Sequence, residues 1–171
     1  VNYRKAGATY TITTGANWQK STVMGPATYR GNSAYRTQNV NSAGFEADSY
    51  SNMLDSIAYT YGSVMTKPQL HETYFSPAMA MPLSLPVKQT YTQSLNQITV
   101  QAGAADYVMP VVMTTTYRGR ETVTTAFGTF ETCKNTESAP PSRAFEEAGF
   151  YRREHPALPL AYCMAATCDG A

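Results

Sequence analysis

The segment Thr116–Lys134, with the sequence TYRGRETVTTAFGTFETCK, constrains the fold more than any other part of this chain. It is rich in Thr, Val, Tyr and Phe, which suit a pleated, half-buried sheet surface. Its one interruption, Ala126-Phe127-Gly128, contains a glycine that can adopt the positive φ of a tight reversal. The segment therefore predicts an antiparallel hairpin with Cys133 in its second arm, and a cysteine in a strand favours an oxidising compartment.

Composition places the chain in a class before any motif is considered. A length of 171 residues predicts one domain with a substantial core. Charged residues make up 15% of the chain, against about 25% in a typical soluble domain. Thr, Ser, Asn, Gln and 13 tyrosines carry the polarity instead. This composition is typical of secreted and adhesive sheet proteins, so we expect an exported protein in the periplasm, on the outer surface or outside the cell.

The charge pattern argues against nucleic acid as a partner. The net charge is +1, and the 13 basic residues are scattered among 12 acidic ones. Nucleic-acid binding requires clustered Lys and Arg that release counterions. No apolar run approaches the roughly 18 residues of a membrane span, so a membrane-spanning protein is not expected either.

The three cysteines, Cys133, Cys163 and Cys168, allow three single disulfides, each of which leaves one thiol over. A Cys163–Cys168 bond would close a short local loop. A bond from Cys133 to either of the others would hold the C-terminal tail against the hairpin and would constrain the unfolded chain more. We favour a disulfide that includes Cys133, and the pairing stays open.

Alternating segments separated by turn residues predict strands along most of the chain. The pattern predicts an all-β, single-domain antiparallel fold, either a strongly bent sheet or a half-open barrel. Residues 1–138 form the sheet and 139–171 a Pro-rich tail that wraps over it. The predicted strands before the hairpin are Ala8–Thr14, Ala27–Arg30, Ala34–Val40, Phe45–Tyr50, Ile57–Tyr61 (ended by Gly62-Ser63), Val87–Tyr91, Ile98–Gln101 and Tyr107–Tyr117.

Three segments depart from this pattern. Asp48–Ser56 and Arg143–Gly149 could each form a turn or two of helix, the second with Ser142 as its cap. Ser76–Pro86 carries three prolines, which cannot donate to a sheet ladder. We expect it to be an extended edge or a crossing loop.

The motifs of known chemistries are absent from the sequence, so no catalytic residue, metal site or cofactor is predicted. The two histidines lie in His71-Glu72 and Glu154-His155, and neighbouring strand residues point to opposite faces, which disfavours a shared metal ion. An enzyme would need His71 or His155 buried beside an acid or Cys133. The single tryptophan, Trp18, is expected to pack in the core, and an exposed aromatic platform for a sugar or a partner is the alternative.

Two four-residue segments are identical, Thr28-Tyr-Arg-Gly31 and Thr116-Tyr-Arg-Gly119, and each lies in a predicted strand region. In a chain rich in Thr and Tyr, coincidence explains a repeat as short as this one. A duplicated half-sheet is the open alternative.

The segment Gly119–Cys133 resembles a hairpin of exported bacterial β-rich proteins of uncharacterised function, with the pattern G-x-E-x-V-T-x-x-x-G-T-F-x-T-C. The resemblance implies a periplasmic or outer-surface protein with a strongly bent antiparallel sheet, in some cases a half-open barrel that carries lipid. Such proteins continue after the cysteine into an aromatic strand, whereas here a Pro-rich, Cys-bearing segment, Ala144–Ala171, follows. The shared hairpin is structural, so no functional residue is carried over.

Two functions follow as hypotheses. The first is an exported, non-enzymatic protein that binds an apolar or amphipathic ligand, such as a lipid-like molecule, or a protein partner of the cell envelope. The second is a structural subunit of an extracellular filament, pilus or coat, assembled by strand addition, with homo-oligomerisation left open. The candidates for a ligand-facing surface are Ile57, Tyr59, Tyr61, Val111, Met113, Val123 and Phe130.

Overall fold

The computed structural model describes residues 5–125 and 128–138, and these form nine strands and no helix. The strands follow each other across one sheet in chain order, and the pairs with a defined register are antiparallel. The predicted all-β antiparallel class is therefore confirmed. The strands are β1 (Thr9–Thr14), β2 (Asn17–Tyr29), β3 (Asn32–Asn41), β4 (Glu46–Leu54), β5 (Ile57–Lys67), β6 (His71–Pro82), β7 (Thr90–Gln101), β8 (Tyr107–Thr125) and β9 (Gly128–Ser138).

Tight turns join the early strands. The β2–β3 turn has Arg30 at φ 46° and Gly31 at φ 79° as its two central residues. The β4–β5 turn has Asp55 at φ 48° and Ser56 at φ 59°. Two consecutive positive φ values define the turn whose twist matches paired strands. Gly31 and Asp55 are of residue types that favour a positive φ. Arg30 adopts a positive φ although arginine has no such preference.

The chain divides into two compact units. The first comprises residues 1–80 with Asn96–Met109, and the second comprises Met81–Leu95 with the described residues from Pro110 onward.

Within the first unit the sheet is strongly bent. Neighbouring strands are about 4.8 Å apart, so β2 and β6 would lie about 19 Å apart in a flat sheet. Instead Arg30, in the turn that follows β2, donates from Nε to Glu72 Oε1 of β6 at 2.8 Å. A side chain cannot span the flat distance, so the sheet curls and brings β2 and β6 together.

The core of the first unit lies inside this bend. Tyr29, Ala34 and Tyr61 are buried there, and the half-buried tyrosines of β4, β5 and β6 pack against them. We call Tyr29, Tyr50, Tyr59, Tyr61 and Tyr74 the tyrosine cluster. Tyr29 and Tyr50 stack with ring centroids 4.1 Å apart, and Tyr59 and Tyr61 stack at 6.4 Å.

The second unit contains the predicted hairpin. The backbone of β8 from Thr114 to Thr125 pairs with β9, and Thr125 lies opposite Gly128. The predicted strand pairing between Gly119 and Lys134 is therefore confirmed. Tyr117 is buried, and its backbone exchanges hydrogen bonds with Lys88 N at 2.7 Å and Gln89 O at 3.1 Å.

Several local predictions are wrong. Asp48–Ser56 was expected to allow a helix, but β4 continues through Leu54 because it pairs on both sides, with β3 and β5. Strand β5 does not end at Gly62-Ser63, because sheet pairing carries it to Lys67.

The Pro-rich segment and the tail have different outcomes. Ser76–Pro82 is extended as expected, but it belongs to β6, which is interior in strand order and is not an edge. The helix prediction at Arg143–Gly149 and the wrapping tail, residues 139–171, lie outside the described residues.

Candidate functional site

Strand β1 is the terminal strand of the first unit and presents a free ladder. Among the strands that the structure describes, none lies beyond it. Val23 N donates to Ala8 O at 2.8 Å, so Ala8 directs its carbonyl toward β2. Because hydrogen-bonded pairs alternate along an antiparallel ladder, Tyr10 and Ile12 bond to β2 as well. The backbone N–H and C=O groups of residues 9, 11 and 13 consequently point away from the sheet.

The side chains of β1 leave this edge open. All six residues, TYTITT, are exposed and none is charged. Natural sheet edges are usually blocked by Lys, Pro, a bulge or a covering loop. Tyr10 is 40% and Ile12 59% exposed, and both lie on the same face of β1. The edge therefore combines backbone groups that no described residue pairs with and exposed apolar side chains.

Two of the three predicted ligand-facing residues of β5, Tyr59 and Tyr61, belong to the tyrosine cluster. Tyr61 is buried in the core, while Tyr59 and Ile57 are half-buried. Tyr61 is the extra residue of a register shift, because Tyr50 pairs with Gly62 and Ser51 with Thr60. Tyr59 and Tyr61 nevertheless stack, with ring centroids 6.4 Å apart.

The remaining ligand-facing candidates lie along β8 and β9. Val111 and Met113 are half-buried. The backbones of Val123 and Phe130 pair directly with each other. A register shift between Tyr117 and Gly119 separates the two pairs of residues. The alternation of side chains between the two faces of β8 is therefore interrupted at that shift, so counting residues along β8 does not place Val111 and Val123 on the same face.

An ion pair between Arg30 and Glu72 lies where the bend brings the end of β2 against β6, a place we call the mouth of the bend. Arg30 makes two parallel hydrogen bonds to Glu72, each 2.8 Å long, and its guanidinium lies 3.5 Å from the Tyr74 ring centroid. The hydrogen bond from Arg30 is the main cause that lowers the pKa of Glu72. Burial is the main cause that raises the pKa of Tyr29, with Glu72 adding to it. Fork-to-fork pairing and ring stacking together fix the Arg30 side chain.

A second ion pair lies between neighbouring strands. Arg36 of β3 pairs with Asp48 of β4 at 3.0 Å, and the hydrogen bond to Asp48 is the main cause that raises the Arg36 pKa. Arg36 Nε and Asp48 Oδ1 are buried without a hydrogen-bond partner among the described residues. Asp48 lies opposite Val64 of β5, which packs on the tyrosine cluster. The surroundings of the cluster are therefore partly charged.

The remaining predicted residues occupy varied positions. Trp18 was expected in the core, but it is 40% exposed, because it lies near the start of β2 whereas Tyr29, which belongs to the core cluster, lies at the end of that strand. His71 is half-buried at the start of β6, and its neighbour Glu72 is engaged by Arg30.

In residues 5–125 and 128–138 no His, Cys, Asp and Glu side chains group as a metal site would require. The same residues form no helix able to cross a membrane.

The disulfide prediction falls largely outside the described residues. The backbone of Cys133 lies in β9, opposite Arg120. Cys163 and Cys168 belong to the part of the chain that is not described. The pairing stays a prediction.

Compared with known proteins, the chain matches no family model, no curated protein and no solved structure. The structural features above are therefore the basis for assigning a function. Sequence reasoning identified Ala8–Thr14 as a strand but not as a free edge. No local signal could have identified the edge, because it follows from the strand order.

Proposed function

We propose that this protein is an exported, non-enzymatic structural subunit that associates by strand addition at the free edge of β1, as part of an extracellular coat or filament. The observation that carries the proposal is the outward-facing backbone of residues 9, 11 and 13 on a strand without charge. An added strand would satisfy these groups as a ladder. It would also cover the exposed side chains of Tyr10 and Ile12.

The composition supports the same function. A net charge of +1 gives little electrostatic repulsion between copies. Threonine pairs across strands recur in this sheet, with hydroxyl oxygens 3.3 Å apart for Thr9 and Thr22 and 3.0 Å apart for Thr90 and Thr116. Such pairs stabilise neighbouring strands, and a threonine-rich edge offers them to an incoming strand.

The experiment is sedimentation velocity over a wide concentration range with two variants at Thr11. Thr11→Pro removes an outward-facing N–H that makes no bond to β2. Strand β1 therefore stays paired with β2 but can no longer donate this hydrogen bond to an added strand. Thr11→Val is the matched control, because it keeps the N–H and the shape of the side chain. We expect the wild type and Thr11→Val to associate and Thr11→Pro to stay monomeric. A wild type that is monomeric at every concentration contradicts the proposal.

Binding of an apolar or amphipathic ligand is the second candidate. Tyr59 of the tyrosine cluster and Ile57, two residues before it in β5, are half-buried and supply partly exposed apolar surface. The protein's own side chains fill the bend, and the Arg36–Asp48 pair adds charge nearby, so this surface suits a lipid-like ligand less well. Uptake of a fluorescent fatty acid that is lost in Ile57→Asp would support this function. A protein that takes up none contradicts it.

A further inference from the structure

The free edge of β1 restricts which strand registers can form on it. The outward-facing groups belong to residues 9, 11 and 13, so an added antiparallel strand must place its own outward-facing residues opposite these. If the added strand is β1 of a second copy, odd-numbered residues therefore face odd-numbered residues. Three registers satisfy this condition with at least two hydrogen-bonded pairs, and they are centred on Tyr10, Thr11 or Ile12.

One register uses the whole edge. With Thr11 opposite Thr11, Thr9 lies opposite Thr13 at both ends, and all three outward-facing residues are paired. Each such pair exchanges two hydrogen bonds, so the ladder contains about six. The registers centred on Tyr10 or Ile12 leave one of the three residues unpaired on each copy.

The side chains also match in this register. Tyr10 lies opposite Ile12 of the second copy, twice by symmetry, in the non-hydrogen-bonded positions where side chains approach most closely. Aromatic residues and β-branched residues are favourable cross-strand partners, as are threonines. The centred pairing thus covers the two exposed apolar side chains of each β1, which are 40% and 59% exposed in the single chain.

We propose that two copies of this chain pair through β1 in an antiparallel, two-fold symmetric arrangement with Thr11 opposite Thr11, an inference that rests on the proposed function. The contact continues the sheet of the first unit into that of the second copy. A ladder of three residue pairs is far smaller than the roughly 800 Å² per partner of a standard interface, so the pairing is weak and reversible. Because the contact is two-fold symmetric it closes at two copies, so a coat or filament grows from such dimers through a second surface of the chain.

The test is charge complementation at Thr11, read by sedimentation equilibrium and native mass spectrometry. Thr11→Lys and Thr11→Glu each place like charges directly opposite one another, so each alone raises the dissociation constant by about tenfold or more. Mixing the two variants places Lys opposite Glu and restores pairing as a heterodimer, identified by its mass. Thr11→Glu lies next to Lys20 of β2, which favours a folded β1.

Position 13 provides the matched control. Thr13 faces Thr9 in the proposed register, so neither Thr13→Lys nor Thr13→Glu alone places like charges opposite one another, and each keeps its association. A mixture of Thr9→Lys and Thr13→Glu places opposite charges together, so the heterodimer forms in preference to either homodimer. Urea unfolding of each variant confirms that it is folded.

The outcomes separate the two proposals. Association that is lost in Thr11→Pro but not rescued by the Thr11 mixture overturns the symmetric register and leaves strand addition at β1 standing. Loss of association in the single Thr13 variants that their mixture restores also overturns the register, because it places Thr13 opposite Thr13. A wild type that does not associate, or association that persists in Thr11→Pro, overturns both.

Discussion

Gly62 is the position at which the bent sheet leaves no room for a side chain. It lies in β5 opposite Tyr50, and its positive φ of 159° is one that residues with a Cβ rarely adopt. A Cβ atom at Gly62 would lie 2.7 Å from Tyr29 Oη and 2.8 Å from Tyr74 Cα, and nearest of all to the Thr73 carbonyl oxygen. The cost of Gly62→Ala is therefore a steric clash in addition to any backbone strain.

The size of that cost follows from which atoms are in the way. Thr73 O and Tyr74 Cα belong to the backbone of the neighbouring strand β6, so they cannot rotate aside as a side chain would. Overpacking a core costs about 1–3 kcal/mol, and two backbone clashes place Gly62→Ala at the upper end, about 3 kcal/mol. Urea unfolding at a fixed protein concentration measures this as a lower free energy of unfolding.

Gly103→Ala is the matched control, in the turn after β7. Gly103 has a φ of 80° and nothing within 4 Å of an added Cβ. This substitution therefore lowers the free energy of unfolding only through the strain of a left-handed backbone, by about 1 kcal/mol. In the double variant Tyr29→Phe, Gly62→Ala, one of three clashes is removed and most of the cost remains. The reasoning is refuted if Gly62→Ala costs no more than Gly103→Ala, or if the double variant recovers wild-type stability.

Three further predictions concern the mouth of the bend. Tyr29→Phe keeps or raises the free energy of unfolding, by up to about 1 kcal/mol, because Tyr29 Oη is buried without a hydrogen-bond partner among the described residues; a clear loss in urea unfolding contradicts this. Arg30→Lys lowers the free energy of unfolding by about 1 kcal/mol, because an ammonium cannot make both bonds to Glu72 or stack flat on Tyr74; an unchanged urea midpoint contradicts this. The pKa of Glu72 is lowered from 4.5, so its contribution is present above pH 4.5 and is lost as pH falls through the folded-state pKa. Glu72→Gln is therefore less stable than the wild type at neutral pH, and the difference shrinks in acid; a difference independent of pH contradicts this.

The sequence predicted most of the strands because alternation is a local property, but it missed β6 and placed a strand at Val87–Tyr91, where Val87 and Lys88 form a turn. It also could not predict where alternation breaks. The identical segments Thr28–Gly31 and Thr116–Gly119 show the limit. In the first, Arg30 and Gly31 form the turn between β2 and β3. In the second, the register shifts inside the single strand β8, at Tyr117 and Gly119. The surrounding pairing, and not the four residues, decides between a turn and a bulge.

The candidate sites depend on contacts that are distant in sequence. Tyr59 and Tyr61 could be placed together from β5 alone, but their neighbours Tyr29 and Tyr74 come from β2 and β6 and meet them only through the bend. The pairing of Arg30 with Glu72 has the same origin. The free edge at β1 likewise follows from strand order, which no local pattern encodes.

Amide hydrogen exchange along β1 tests the central claim, that this strand pairs with a second copy, most directly. The N–H groups of Tyr10 and Ile12 bond to β2, so they are protected at every protein concentration. We predict that Thr9, Thr11 and Thr13 exchange rapidly in dilute protein and become protected as the concentration rises. Fast exchange at these three positions at concentrations where the protein sediments as an oligomer would contradict the account, because association would then use another surface.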